Sequence, residues 1–435
     1  MSRKTRFSRI SLGSFDIRRG SDDIREAPSN ERGECCVARR FDAIRGNGKR
    51  QPAVPIDAAF TMDYVHRLRF TSDVLDPANP VLREVLAKTE DSPGRLVVVV
   101  DQGVAEAWPG ICERIDDYVI DALDWMTLAA PVQIVPGGET CKNDWSVYES
   151  VARTIHDAAI CRHSYVLVIG GGAVLDAAGF AAATAHRGVR LVRLPTTTLA
   201  QADAGIGVKN GINAFGKKNF LGCFAVPWAV INDEKFLTTL TDRDWRCGLS
   251  EAVKVALLKD ASFFDIIESA APRLKERDQT AMRSIVRRSA ELHLQHIVSC
   301  GDPFEMRGAR PLDFGHWSAH KLEQMTDFSV KHGEAVAIGL AIDVLYSATM
   351  GRLPGSEAER IVRLLEALGF SLYHAALNDP ALFEGLEDFR EHLGGQLTIT
   401  LLDAIGRPFD VHEIDLARMS DAIAHLATVA ARPLS

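Results

Sequence analysis

The sequence has no Cys-x-x-Cys pair, and its eight cysteines, at positions 35, 36, 112, 141, 161, 223, 247 and 300, are scattered along 435 residues. That spread argues against a disulfide framework and a thiolate zinc site. With no secretory pattern visible, it points to a reducing cytoplasm. Runs of 18 uncharged apolar residues are also missing. The nearest approach, 165–185, is interrupted by Asp176 and rich in glycine, so no membrane span is expected. Neither an internal repeat nor a heptad array occurs, which excludes solenoids and long coiled coils. Positive charge is scarce beyond the first 50 residues: these hold 13 Lys/Arg against 7 Asp/Glu, and the remainder holds 37 against 51. An acidic body binds nucleic acid poorly, so small molecules are the partners to expect.

What is present is a chain long enough for two cores, 46% hydrophobic and 25% charged. Residues 1–60 are rich in Arg, Ser and Gly, show no apolar period and end in turns through Gly46, Gly48, Pro52 and Pro55. They read as a disordered extension, or as a spurious one if translation begins near Met62. Asp16, Asp22, Asp23 and Glu26 come too early for an acid-poor targeting peptide. Across 61–237, short β-branched runs at 96–100, 132–135, 166–169, 189–194 and 229–232 alternate with helical stretches. Apolar strands separated by helices imply a parallel sheet covered on both faces. The expectation is an α/β, Rossmann-like domain with its ligand at the carboxyl ends of the strands. Across 238–435, amphipathic stretches such as 283–294 imply a mostly α-helical second domain. A late hairpin from 396–402 and 408–412 and a final helix from Asp415 complete it.

Three segments of that second part carry ligand chemistry: Gly248-Leu-Ser-Glu-Ala-Val-Lys254, Asp313-Phe-Gly-His-Trp-Ser-Ala-His320 and Lys331-His-Gly-Glu334. Glu251, His316 and His332 supply one carboxylate and two imidazoles. Three protein ligands leave a fourth tetrahedral position for water or substrate, as in catalytic rather than structural zinc sites. Singly, Glu251 and Lys254 read equally well as a helical i,i+3 pair, and each His as a core or surface group. Their order, with each segment beside glycine and on or opening an apolar-periodic helix, favours a metal centre.

In the first part, Val166-Leu-Val-Ile-Gly-Gly-Gly-Ala-Val-Leu-Asp176 is a strand, a glycine turn and a helix start. Backbone amides and a helix N-terminus suit a pyrophosphate there, although a tight structural turn explains the glycines equally well. Pro136-Gly-Gly-Glu139 with Lys142, and Pro195-Thr-Thr-Thr198, follow other expected strands on the same sheet edge. Asp203-Ala-Gly-Ile-Gly-Val-Lys209-Asn-Gly-Ile-Asn213 and Gly216-Lys-Lys-Asn219 read as a polar, glycine-bearing loop. Its lysines are point charges suited to phosphate, or simply a solvated basic turn.

In this order the motifs resemble dehydroquinate synthase and its sugar phosphate cyclase relatives, from about residue 64 onward and most densely from Gly170 to Gly339. The resemblance implies an NAD-binding α/β domain joined to a helical metal domain, with the active site in the cleft between them, and a homodimer. By position it makes Glu251, His316 and His332 ligands of Zn2+ or Co2+. It makes Asp203, Lys209, Lys218, Asn219, Lys254 and His320 contacts to a sugar phosphate. Glu139, Lys142, Gly171, Gly172, Asp176, Thr196 and Thr197 match NAD-contacting positions. The implied chemistry is that of a carbon–oxygen lyase: transient oxidation of a hydroxyl by NAD+, elimination of phosphate, reduction back, and ring closure by aldol addition. Lys254 would add electrostatic stabilisation, and His320 and Lys209 would orient the leaving phosphate.

Departures from dehydroquinate synthase bear on the substrate. Asp313 stands where that enzyme has Asn, Ala309 where it has Arg, and Arg310 is displaced by one position. Arg390-Glu-His-Leu-Gly394 replaces a Lys-rich patch, and His293 and His296 lie near a family Lys. A substrate carboxylate buried beside Asp313 would cost on the order of several kcal/mol unless paired. A sedoheptulose 7-phosphate type of substrate is therefore expected over 3-deoxy-arabino-heptulosonate 7-phosphate, unless Arg307 or Arg310 reaches a carboxylate. The alternatives are 3-dehydroquinate synthase proper, a metal-dependent alcohol or glycerol dehydrogenase, and a non-catalytic NAD-binding regulator. The last would be expected to have lost a ligand or a cradle lysine, yet all are present.

Overall fold

The computed structural model describes residues 57–430 except 59, 87–93, 144, 300–303, 305–310 and 393–394. The expected extension thus falls almost wholly outside the described residues, as do Arg307, Ala309 and Arg310.

Two-sided burial organises the first half. In the strand Gly94–Asp101, Leu96, Val98 and Val100 enter one core while Val97 and Val99 enter another, all 1% exposed or less. Such a strand needs helices on both faces. Ile111–Ala122 covers one face, and Ser146–Asp157 and Gly172–Thr184 cover the other. The parallel sheet runs in the order Leu68–Thr71, Ala229–Asp233, Arg190–Pro195, Tyr165–Gly170 and Gly94–Asp101. Met126–Leu128 and Gln133–Val135 both pair with the outer edge of Gly94–Asp101. The chain leaves Gly94–Asp101 to one side and returns on the other, so a topological switch point lies at the carboxyl ends of Gly94–Asp101 and Tyr165–Gly170. All five expected strands are present. The edge strands Leu68–Thr71 and Met126–Leu128 were not expected, being short and only partly buried.

One expectation is corrected. The segment read as a polar loop forms an antiparallel hairpin, Lys209–Ala214 with Lys217–Phe224, which turns at Phe215 and Gly216. Its Lys, Asn and Gly residues are poor strand formers, and the pairing rests on buried polar partners instead. Fully buried Arg193, on the strand Arg190–Pro195 of the main sheet, donates to the carbonyls of Gly205, Gly207 and Lys209 and to Asn210 Oδ1.

From Asp242 onward the chain is mostly helical. His332–Thr349 is buried over nearly its whole length and is the centre of that core. Asp242–Lys259, His316–Met325, Gly355–Ala367 and Leu416–Ala430 all touch it. The late hairpin is Ile399–Ala404 with Arg407–Val411. The described residues from Met62 onward form one compact unit, within which the sheet and the helices meet. No helix among the described residues is long and apolar enough to cross a membrane.

Candidate active site

Three helical elements deliver the expected ligands to one point. Glu251 lies in Asp242–Lys259, His316 opens His316–Met325 and His332 opens His332–Thr349. Glu251 Oε1 is 3.6 Å from His316 Nε2 and 3.4 Å from His332 Nε2, and the ligand atoms of all three residues lie within 4.8 Å of one another. Two glycines allow this convergence. A Cβ on Gly333 would lie 2.2 Å from the Cys247 carbonyl oxygen, and one on Gly339 would lie 2.0 Å from that of Gly315. Helix His332–Thr349 therefore touches the backbones that carry the other two ligands.

Donor chemistry fits a divalent cation. His316 Nδ1 lies 3.0 Å from the Phe314 carbonyl, and His332 Nδ1 lies 3.0 Å from Glu323 Oε2. Each Nδ1–H is thereby engaged, which turns both Nε2 atoms toward Glu251. Both Glu251 carboxylate oxygens are buried and accept no aligned hydrogen bond. Burial alone would raise the Glu251 pKa, but Lys254, His316 and His332 outweigh it and hold the group well below the usual range. Burial opposes protonation of His332, yet the Glu323 charge raises its pKa to about 9.

Around this point the polar side chains form a continuous line. Lys254 pairs with Glu251 and lies 3.9 Å from Asp203 Oδ1. Burial disfavours its charge, but Asp203 and Glu251 together raise its pKa, so it stays an ammonium. Asp203 Oδ1 is also 2.8 Å from His293 Nδ1. On the other side, Glu323 Oε1 accepts from Lys218 Nζ at 2.7 Å, and Lys218 lies 4.0 Å from Glu139. Lys142 donates to Asp176 at 2.8 Å, bonds to Asn219 and lies 4.0 Å from Glu139. Burial opposes the Lys142 charge, and Asp176 and Glu139 more than restore it.

His320 stands one turn after His316, with its ring 5.3 Å from that of His316 and 5.8 Å from that of His332. Burial, together with Lys218 and His316, holds it well below its ordinary pKa, so it is a neutral imidazole. Asp313 precedes the same helix, and one of its oxygens is buried without a hydrogen-bond partner. Lys209 opens the hairpin with an exposed side chain. Its charge, like that of Lys254, disfavours protonation of His296.

The glycines and threonines expected to meet the dinucleotide gather at the switch point. Gly171 caps the helix Gly172–Thr184, Thr196 N donates to the Gly170 carbonyl, and the Thr197 methyl stands 3.4 Å from where a Cβ on Gly171 would be. Thr198 joins the two halves: its hydroxyl accepts from Gly248 N at 3.1 Å and donates to the Asp244 carbonyl at 2.9 Å. This glycine cradle with an open helix N-terminus suits a pyrophosphate.

Residues 132–247 match the family model described as 3-dehydroquinate synthase N-terminal, and residues 248–391 match the corresponding C-terminal one. A 2-epi-5-epi-valiolone synthase of Streptomyces glaucescens is 30% identical over 370 residues, 85% of this chain and 92% of its own length. The chain belongs to the 3-dehydroquinate synthase family. A relative named 3-dehydroquinate synthase, from Halorhodospira halophila, is 36% identical over 282 residues, 62% of this chain and 79% of that protein. Among solved structures, the 2-epi-5-epi-valiolone synthase of Streptomyces hygroscopicus subsp. jinggangensis, with NAD+ and Zn2+ bound, superposes with a TM-score of 0.76 at 26% identity. That match covers 86% of this chain and 100% of that one. The expected fold class is thus that of this synthase family.

Three positioning residues of this family member were not singled out from its sequence. Asp101 ends the first long strand, and its half-buried carboxylate accepts from Gly103 N at 2.8 Å and from the Gly171 amide. Its place at a strand end on the switch-point edge was a usable signal. Glu323 follows His316 and His320 at helical spacing, so a shared face was legible. Arg193 gave no signal, because an arginine within a strand looks like a solvated residue.

Proposed function

We propose that this chain is an NAD- and metal-dependent sugar phosphate cyclase that turns a seven-carbon sugar phosphate of the sedoheptulose 7-phosphate type into a carbocycle. The sheet half would hold NAD at Glu139, Lys142, Gly171, Gly172, Asp176, Thr196 and Thr197. The helical half would hold Zn2+ or Co2+ at Glu251, His316 and His332. Bound NAD+ supplies a reversible oxidant, and the metal supplies a Lewis acid for the hydroxyl being oxidised. Lys254 keeps a buried positive charge one helical turn from Glu251, beside any developing alkoxide. Lys218, Asn219 and Lys209 line the hairpin that would receive the phosphate, and neutral His320 can accept or pass a proton there.

The observation that carries the substrate class is Asp313. Its buried, unpartnered carboxylate oxygen requires a donor and repels a carboxylate, and sugar hydroxyls meet both demands. The test is phosphate release with NAD+ and zinc, run in parallel on sedoheptulose 7-phosphate and on 3-deoxy-arabino-heptulosonate 7-phosphate. Release from the first alone supports the reading; release from the second alone replaces it with 3-dehydroquinate synthase. NADH accumulation from a polyol without phosphate release would make the protein a dehydrogenase. The five described cysteines are free thiols, consistent with a cytoplasmic enzyme. We propose a homodimer on family likeness.

A further inference from the structure

The carboxylate of Glu323 is divided between two partners. Oε2 holds His332 Nδ1 at 3.0 Å, and Oε1 holds Lys218 Nζ at 2.7 Å. Glu323 itself is 2% exposed and the Lys218 side chain 10%, so solvent screens both interactions only weakly. The partners come from opposite halves of the fold, His332 from the first turn of the central helix and Lys218 from the hairpin beside the sheet. One buried anion thus serves a metal-facing imidazole and a cation in the proposed phosphate cradle.

We propose that Glu323 is a positioning residue that couples the metal centre to the hairpin, so that the state of Lys218 sets metal affinity without contact between Lys218 and the metal. A carboxylate that accepts the Nδ1–H of a ligating histidine fixes its tautomer and enriches Nε2, which strengthens the ligand. The ammonium of Lys218 draws on the same negative charge and weakens that effect. A phosphate that engages Lys218 relieves the competition, so the cradle and the metal centre reinforce each other. The bland alternative is a buried ion pair that only ties the hairpin to the helix; it would move stability and leave the metal unaffected.

The inference rests on the metal centre of the proposed function, and the experiment separates the two. Zinc affinity is measured by chelator competition on NAD-free, substrate-free full-length protein for wild type, Glu323→Gln, Lys218→Met and the double variant, with a thermal melt of each. Glu323→Gln should weaken zinc by roughly 10- to 100-fold. Lys218→Met should tighten zinc severalfold, and should have no further effect in the Glu323→Gln background. An unchanged zinc affinity in Lys218→Met overturns the coupling. An equal shift in both backgrounds does so too, since it marks a direct charge effect. If Glu323→Gln fails to melt cooperatively, the proposal stands or falls on Lys218→Met alone. A wild-type protein that binds neither zinc nor cobalt overturns the metal centre itself.

Discussion

Gly339→Ala is the sharpest test of how the ligand set is assembled. The added Cβ would lie 2.0 Å from the Gly315 carbonyl oxygen and 2.9 Å from its carbonyl carbon. Both are backbone atoms, so no rotamer change relieves the contact. Non-bonded carbon and oxygen approach no closer than about 3 Å, and the helix and the Gly315 turn must therefore part by about 1 Å. Gly315, at φ +77°, leads directly into His316 and is held from the same helix by Asp343. Asp343 accepts from Gly315 N at 3.0 Å and from Trp317 Nε1 at 2.9 Å. The displacement must stretch that clamp or carry His316 away from Glu251.

Overpacking of this kind typically costs about 1–3 kcal/mol of stability. A misplacement of about 1 Å at a reacting constellation costs on the order of 100-fold in function. Urea unfolding followed by tryptophan fluorescence should show the first effect, and zinc competition a loss of roughly 10- to 100-fold. Gly355→Ala is the control: nothing lies within 4 Å of its Cβ, and stability should change by no more than about 0.5 kcal/mol. Wild-type stability and zinc affinity in Gly339→Ala would refute the account of convergence through close backbone approach.

Glu251→Gln should abolish zinc retention while NAD+ affinity by calorimetry stays within about twofold; a parallel loss of NAD+ would mean the two sites are not separable. Arg193→Met strands four acceptors, the carbonyls of Gly205, Gly207 and Lys209 and Asn210 Oδ1. It should cost on the order of 3–5 kcal/mol in urea unfolding, and a loss below about 1 kcal/mol would show that the hairpin does not depend on it. Burial, reinforced by Lys259, His293, Lys254 and Lys209, lowers His296 to about 4. As pH falls from about 6.5 toward about 4 the unfolded chain gains a proton that the folded one refuses, so stability drops across that window by roughly 1–3 kcal/mol. His296→Gln should remove that share of the decline, and identical pH slopes in the two proteins would count against it.

Legibility in the sequence followed the range of the interactions involved. The strand at 96–100 was readable because burial on both faces writes itself as an unbroken apolar run, and the ligand types were readable because Glu, His-x-x-x-His and His-Gly-Glu are local patterns. The hairpin was not readable. Its strands are held by Arg193 and by Asn213, which donates to Asn143 Oδ1 at 2.8 Å and accepts from Asn219 N at 2.8 Å. Local propensity carries no record of such partners. The helical spacing of Glu323 to His316 and His320 is legible, but its bond to Lys218, which spans 105 positions, is not. The same limit hid Asp343, a lone acid in an otherwise apolar stretch, pushed up to about 7 by burial although Trp317 and Gly315 oppose the shift. The residues that perform chemistry were chosen by type and so show in a single chain. Those that aim them are ordinary Glu, Asp, Arg and Gly, whose roles exist only once distant segments meet. A substitution chosen from motifs alone would therefore target the ligands and miss Gly339, where one added methyl group acts on the same centre from outside the ligand set.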